Sequence, residues 1–244
     1  MNSPPDQALL NLDKSRGDTS AHAVGRVRHL LAAERGLPHR RVKIGHAGTL
    51  DPLATGVLVL MVGRATKLSD RLMDSGKTYL ADVRLGATTP TDDLESDPEP
   101  YPDAANPPTA EAVAAAVGGF QGEIQQVPPI HSAIKVGGRR AFDLARAGQD
   151  VKLEPRTVRL DRLAVVSYVY PDLRIEIDTG RGFYVRSLAR DLGVALGTGG
   201  YLTGLRRTRV GPFVDADGVT LEQIEADGVT AHLRPVDVLD GGGR

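Results

Sequence analysis

Apolar positions recur along this chain with two different periods, and the places where one gives way to the other outline its elements. The run ALLNL at residues 8–12 reads as a short buried strand. Asp18, Thr19 and Ser20 then offer an N-cap, and Val24, Val27, Leu30 and Leu31 follow at helical spacing until Gly36 stops the helix. Residues 57–62, VLVLMV, form an unbroken aliphatic run between Gly56 and Gly63, the pattern of a strand buried on both faces. An amphipathic helix is expected over 65–73. Over 77–85 strict alternation puts Tyr79, Ala81, Val83 and Leu85 on one face of a strand.

Residues 87–108 are acidic and proline-rich and read as an exposed loop. An alanine-rich helix is expected at 109–117. The stretch 124–151 (IQQVPPIHSAIKVGGRRAFDLARAGQDV) combines Pro-Pro, Gly-Gly, basic residues and one short helix, and reads as an excursion from the core. Strands at 157–170 and 173–179 precede GRGFYVRSLARDLGVALG, a glycine turn feeding a helix with Leu188, Leu192 and Leu196 at helical spacing. Strands and helices do not alternate as βαβ units, so the class expected is α+β with a mixed sheet, read as a single domain over 1–240.

Composition narrows the setting. Apolar residues make up 41% and charged residues 25%, with a mean hydropathy of −0.20, the balance of a soluble globular chain. The longest apolar run is far too short to span a bilayer. The N-terminus MNSPPDQALL lacks the basic and apolar regions of a secretory signal, and there is no cysteine, so a cytoplasmic home is expected. A net charge of −1 argues against a general polyanion binder, but distribution matters more. Acid is concentrated at 92–99. Base clusters at Arg35, Arg40, Arg41 and Lys43, at Lys135, Arg139, Arg140 and Arg146, and at Arg206, Arg207 and Arg209. On charge alone these are equally readable as solvated faces.

Several chemistries lack their motifs. No phosphate loop of the G-x-x-x-x-G-K-[ST] type, no H-E-x-x-H and no G-x-S-x-G occurs, and without cysteine there is no thiolate ligand or thiol nucleophile. Carboxylates, aromatics and arginines remain, which points to chemistry without a metal or redox cofactor. In GHAGTLDPLATG, residues 45–56, the loop before the aliphatic strand carries one carboxylate, Asp51. An aspartate, with a reference pKa of about 3.9, is ionised at neutral pH and can attack without a partner base. Retaining glycosidases use this logic with a second carboxylate about 5 Å away, and the loop supplies none. Asp-Pro is also a frequent turn dipeptide, so glycines and aspartate alone do not separate a catalyst from a turn.

The longer stretch KIGHAGTLDPLATGVLVLMVGRATKLS, residues 43–69, resembles the signature of the TruB family of tRNA pseudouridine synthases. Further pieces agree in order: LNLDKSRGDTS, KTYLADVRLGATTPTDD, QVPPIHSAIKVGGRRAFDLARAG and RGFYVRSLARDLGVALGTGGYLTGLRRTRVGPF. The resemblance covers most of 9–240 and implies a pseudouridine synthase fold, with a mixed, largely antiparallel central sheet flanked by helices. It implies cofactor-free isomerisation of a uridine in the T arm of tRNA, by a monomer with no obligate protein partner. Asp51 matches the catalytic aspartate. Tyr79 matches the tyrosine that stacks on the target base, Arg186 the arginine that pairs with the catalytic carboxylate, and Tyr184 and Leu205 the walls of the base pocket. His46 matches the residue that fills the gap left by a flipped nucleotide. Lys14, Arg139 and Arg140 would contact phosphate, with 124–151 as an RNA-gripping segment.

Three departures stand against the family pattern. Ser15 replaces the proline usual after the lysine of the LDKP motif, His131 stands where tyrosine is frequent, and no C-terminal RNA-binding (PUA-like) module is evident after LRPVDVLDGGGR. They leave open the same chemistry on another RNA or on a free nucleotide such as UMP, and a non-catalytic RNA-folding role.

Overall fold

The computed structural model describes residues 7–102, 106–132, 134–136, 138–141, 149 and 152–240. In chain order, strand β1 (Gln7–Lys14) leads to helix α1 (Ser20–Glu34), a 3-10 turn (His39–Arg41), β2 (Ile44–His46) and β3 (Ala54–Gly63). A second 3-10 turn (Arg64–Leu68) runs into the short helix α2 (Ser69–Asp74), and β4 (Lys77–Leu85) follows. Next come β5 (Ala87–Thr88), β6 (Glu99–Pro100), α3 (Ala110–Gly118), β7 (Gly122–Gln126), β8 (Lys135–Val136) and β9 (Arg139–Arg140). The chain ends through β10 (Arg156–Val169), β11 (Asp172–Thr179), α4 (Val185–Ala195), β12 (Gly200–Val210), β13 (Phe213–Val214) and α5 (Leu221–Asp227). Pairing is mixed and mostly antiparallel, and the α+β reading holds. No helix among the described residues is long and apolar enough to cross a membrane.

Packing divides the chain into two compact units. One holds the described residues up to Tyr79 and from Leu205 onward, the other Leu80–Gly204, and the chain passes between them within β4 and again within β12. In the first unit β3 pairs antiparallel with β1 and β2, and residues 54–56 pair parallel with 205–207 of β12. Leu58, Leu60 and Val62 join one core with Val24, Val27 and Leu31 of α1, while Val57, Val59 and Met61 join another with Leu72, Val210 and Phe213. Alternate side chains of β3 therefore enter different cores, as its unbroken aliphatic sequence requires. Thr19 caps α1 through its hydroxyl, which accepts from the His22 amide at 3.0 Å. The outer edge of β1 is covered by the C-terminal segment: Leu9 and Arg234 exchange two backbone bonds of 2.8 Å, and Asp13 donates to the Val219 carbonyl.

In the second unit the strand order is β4-β11-β10-β7, with β10 antiparallel to both neighbours. Helix α3 opens on the Thr109 cap and buries Val113 and Val117.

Four expectations change. The helix of 65–73 is split into a 3-10 turn and α2, because the chain leaves β3 through Gly63 at φ +61° and the Thr66 hydroxyl bonds the Gly63 carbonyl. Residues 124–126 belong to β7, so the excursion begins only after Gln126. The segment 87–108 is not simply exposed: β5 pairs β6, and Thr89, Thr91 and Asp93 are buried. Thr89 and Thr91 both donate to the Asp93 carbonyl, which supplies the partners that burial of hydroxyls demands. Finally, strand β12 and helix α5 had no counterpart in the periodicity reading.

Candidate active site

The loop between β2 and β3 carries Asp51, and its backbone is held at nearly every step. Ser20, at the start of α1, both accepts from the Leu50 amide (2.8 Å) and donates to the Leu50 carbonyl (2.9 Å). The Pro52 carbonyl accepts from the Gly17 amide at 2.8 Å, and the Asp51 carbonyl from the Ala54 amide at 3.0 Å. Leu50 itself is buried in the core beneath α1. Both neighbours of Asp51 are thus fixed to the segment that joins β1 to α1.

Arg207 spans the loop from the other side. Its side chain is 1% exposed, and it donates from Nε to the Val57 carbonyl (2.7 Å) and from Nη2 to the Gly48 carbonyl (3.0 Å). These carbonyls bracket Asp51 in sequence, so one guanidinium ties the entry of the loop to its exit. Gly56 sits at φ +94° against the Arg207 backbone, where no Cβ fits. Leu205, two residues earlier, pairs with Ala54, and its carbonyl accepts from the Thr55 hydroxyl at 3.4 Å. Parallel pairing of β12 with β3 therefore brings Leu205 to the end of the Asp51 loop.

Lys14 was expected to meet phosphate. Its side chain is 1% exposed, and its ammonium donates to the carbonyls of Ser15 (2.9 Å) and Asp18 (2.7 Å). Burial pushes its pKa down, the charges of Asp18 and Asp51 push back, and Arg207 pushes it down further. Asp51 thus lies within electrostatic reach of a buried cation. His46 ends β2, and its pKa is lowered first by burial and then by Arg207, so its neutral form is favoured. Tyr79 lies on β4 and is 7% exposed.

The basic cluster of residues 206–209 also differs from a solvated face. Arg206 makes a two-pronged pair with Asp13 (3.1 and 3.0 Å) and donates from Nε to Asp215 at 2.8 Å. With Arg207 buried, only Arg209 of the three is exposed. By contrast Arg40, Arg41 and Lys43, just before β2, are all exposed.

In the second unit, Tyr184 is the N-cap residue of α4 and Arg186 lies in its first turn. Gln126 and the Tyr184 backbone bond reciprocally, at 3.1 and 2.9 Å. Arg186 is 5% exposed; it donates to the carbonyls of Thr91 (3.3 Å) and His131 (2.9 Å), and its Nε lies 3.7 Å from a carboxylate oxygen of the fully buried Asp93. The acidic stretch thus contributes an internal counter-charge, which its composition concealed. Arg139 and Arg140 form β9, paired with β8, and Arg146 lies outside the described residues. Ser20, Gln126, Asp93 and Arg207 escaped the sequence reading because each acts through the backbone or charge of a residue distant in sequence.

Residues 35–185 match the model of the TruB family pseudouridylate synthase N-terminal domain, and residues 186–239 that of the tRNA pseudouridylate synthase B C-terminal domain. The tRNA pseudouridine synthase B of Mycolicibacterium paratuberculosis is 51% identical over 215 residues, covering 86% of this chain and 70% of that protein. That of Rhodococcus jostii is 50% identical over 231 residues, covering 92% and 73%. Among solved structures, a Cbf5-Nop10-Gar1 complex matches with a TM-score of 0.69 at 28% identity, over 93% of this chain and 60% of that one. An H/ACA RNP bound to a substrate RNA containing 2'-deoxyuridine matches with a TM-score of 0.66 at 26% identity, over 93% and 59%. The chain therefore spans about three fifths of the solved chains it matches. With about half the residues of the matched stretch shared with such relatives and both family models matched in order, the chain belongs to the TruB family of pseudouridylate synthases.

Proposed function

We propose that this protein isomerises a uridine in the T arm of tRNA to pseudouridine, breaking the N1–C1′ bond and forming a C5–C1′ bond without a cofactor. The observation that carries the reading is the fixed carriage of Asp51: Leu50, Pro52, Gly48 and Val57 are all bonded by their backbones, beside buried Lys14 and Arg207. A carboxylate acting on a sugar or ring carbon gains most from such aiming, because reacting atoms must be held in near-attack geometry. Asp51 is the catalytic carboxylate, and Tyr79 stacks on the base and assists removal of the C5 proton. Membership of the family assigns Tyr184 and Leu205 to the walls of the base pocket and Arg186 to the catalytic carboxylate. The target is stacked in folded RNA and must be flipped out, and His46 fills its place. A neutral imidazole suits that role, since it inserts between bases without the desolvation cost of a charge.

Arg139 and Arg140 hold phosphate. Lys14 holds the segment between β1 and α1 through the Ser15 and Asp18 carbonyls. The protein works in the cytoplasm, as a monomer with no obligate protein partner.

The test is incubation with unmodified tRNA transcript, with an unrelated structured RNA and with UMP, followed by mass spectrometry after derivatisation of pseudouridine. Product in the T arm of tRNA alone supports the reading. Product only in the other RNA or in UMP moves the substrate, and tRNA binding without product in any arm makes the protein an RNA-folding factor.

A further inference from the structure

Helix α4 does more than present Tyr184 and Arg186. Three of its side chains reach the segment 127–131, which follows β7 and leads to the strand pair bearing Lys135, Arg139 and Arg140. The Val127 carbonyl accepts from the Ser187 hydroxyl and from Arg190 Nη2, both at 2.9 Å, and the His131 carbonyl accepts from Arg186. Between them lie Pro128 and Pro129, which have no amide hydrogen and restrict the backbone, so a segment tied at its two ends is fixed along its length. Arg190 shares its guanidinium among three acceptors: Val127, Asp191 (2.9 Å) and Asp92 (3.0 Å). Asp92 is itself held, at φ +60°, with its amide on the Thr89 carbonyl and its carbonyl accepting from the Leu202 amide at 3.0 Å. Such a backbone in a non-glycine residue persists only where its surroundings fix it.

We propose that Arg190 and Asp92 form a clasp that positions the segment 127–131, and so sets how tightly the protein holds RNA rather than how fast a bound uridine reacts. The inference rests on the RNA reading above. The clasp is separate from the pairing of Arg186 with Asp93: it uses the next turn of the helix and the neighbouring acid.

The clasp carries its own pH signature. Burial raises Asp92 to about 6, against the charges of Arg190 and Arg186 and with that of Asp191. The charged groups acting on it are Arg190, Arg186 and Asp191 on α4, with Asp93 beside it in the chain and paired to Arg186. As pH falls through about 6 Asp92 is neutralised and loses its ionic hold on Arg190, so RNA affinity weakens. Histidines gaining charge in that range act with the opposite sign, since they strengthen binding to a polyanion.

The test uses the full chain with unmodified tRNA. Arg190→Gln and Asp92→Asn are each expected to raise the tRNA Kd about tenfold at pH 7.5, while the single-turnover rate at saturating tRNA stays within about threefold. Wild-type affinity should fall from pH 7 to 5, and Asp92→Asn should abolish that fall. Asparagine tolerates positive φ and needs no burial of charge, so this variant is expected to fold at least as stably as wild type, which separates lost affinity from lost stability. Hydrogen exchange in 127–131 should quicken in both variants. An unchanged Kd, or a collapse of the saturated rate at unchanged Kd, overturns the clasp. An inactive wild type with intact tRNA binding would overturn the catalytic reading and leave the affinity comparison standing.

Discussion

Arg207 and Gly56 are partners across the parallel pairing of β12 with β3, and they lie so close that a Cβ at Gly56 would overlap the Arg207 carbonyl. The contact lets the Arg207 side chain reach back along the loop to the Val57 and Gly48 carbonyls. A glycine in the motif and an arginine about 150 positions later are therefore one device.

Gly56→Ala is expected to destabilise the protein by about 2–4 kcal/mol, combining a left-handed backbone with overpacking against a main chain that cannot move aside. Gly17→Ala is the control: φ is also positive, +91°, but nothing lies within 4 Å of its Cβ, so only about 1 kcal/mol is expected. Urea unfolding of both variants measures the difference. Equal losses would show that the close approach to Arg207 contributes nothing.

Removing the guanidinium has two separate consequences. Arg207→Met leaves the Gly48 and Val57 carbonyls without this donor, and turnover at saturating tRNA should drop by at least about tenfold as Asp51 loses its fixed aim. The pKa of His46 should also rise toward its ordinary value, because a cation that disfavoured imidazolium is gone, although burial still holds it down. NMR titration of His46 reads the second effect without reference to activity. No movement of that pKa would mean that Arg207 does not act on the loop electrostatically.

Asp51→Asn removes a charge at nearly constant volume, so pseudouridine formation should vanish while tRNA binding stays within a few-fold. Tyr79→Phe should keep affinity and lose turnover. Tyr79→Ala should lose affinity too, since stacking on a base is worth about 1–3 kcal/mol. Rapid-quench assays alongside filter binding separate these outcomes, and residual turnover near wild type in Asp51→Asn would remove it from the chemistry.

Phosphate contacts should fall to base that no carboxylate already neutralises. Arg139→Ala with Arg140→Ala is expected to weaken tRNA binding and to flatten the slope of log affinity against log salt by about 1.4–1.8, at 0.7–0.9 for each lost contact. Arg206→Gln should leave that slope unchanged, because Arg206 is already neutralised by Asp13 and Asp215. A salt titration of the three proteins decides between the assignments.

Local pattern made much of the fold legible. Helix α1, its Thr19 cap, the doubly buried β3 and the alternating β4 all follow from short-range periodicity, because the same few residues that define the pattern also define the element. Helix α5 was equally available: Thr220 and Gln223 form a capping box at the spacing such boxes require. Strand β12 was not, since its glycines and three arginines mask a strand period that only partners on β3 reveal.

The glycine loop around Asp51, the aliphatic strand behind it and the family resemblance were determined by the sequence alone, because contiguous residues shape the backbone that carries the acid. Tertiary structure alone decided which charges face inward. Lys14, Arg207, Asp93 and Arg186 look like surface residues in any composition reading, yet each is buried. Burial of a charge is stable only where carbonyls or opposite charges meet it, and for Arg207, Arg186 and Asp93 the partners come from segments that only the folded chain brings together.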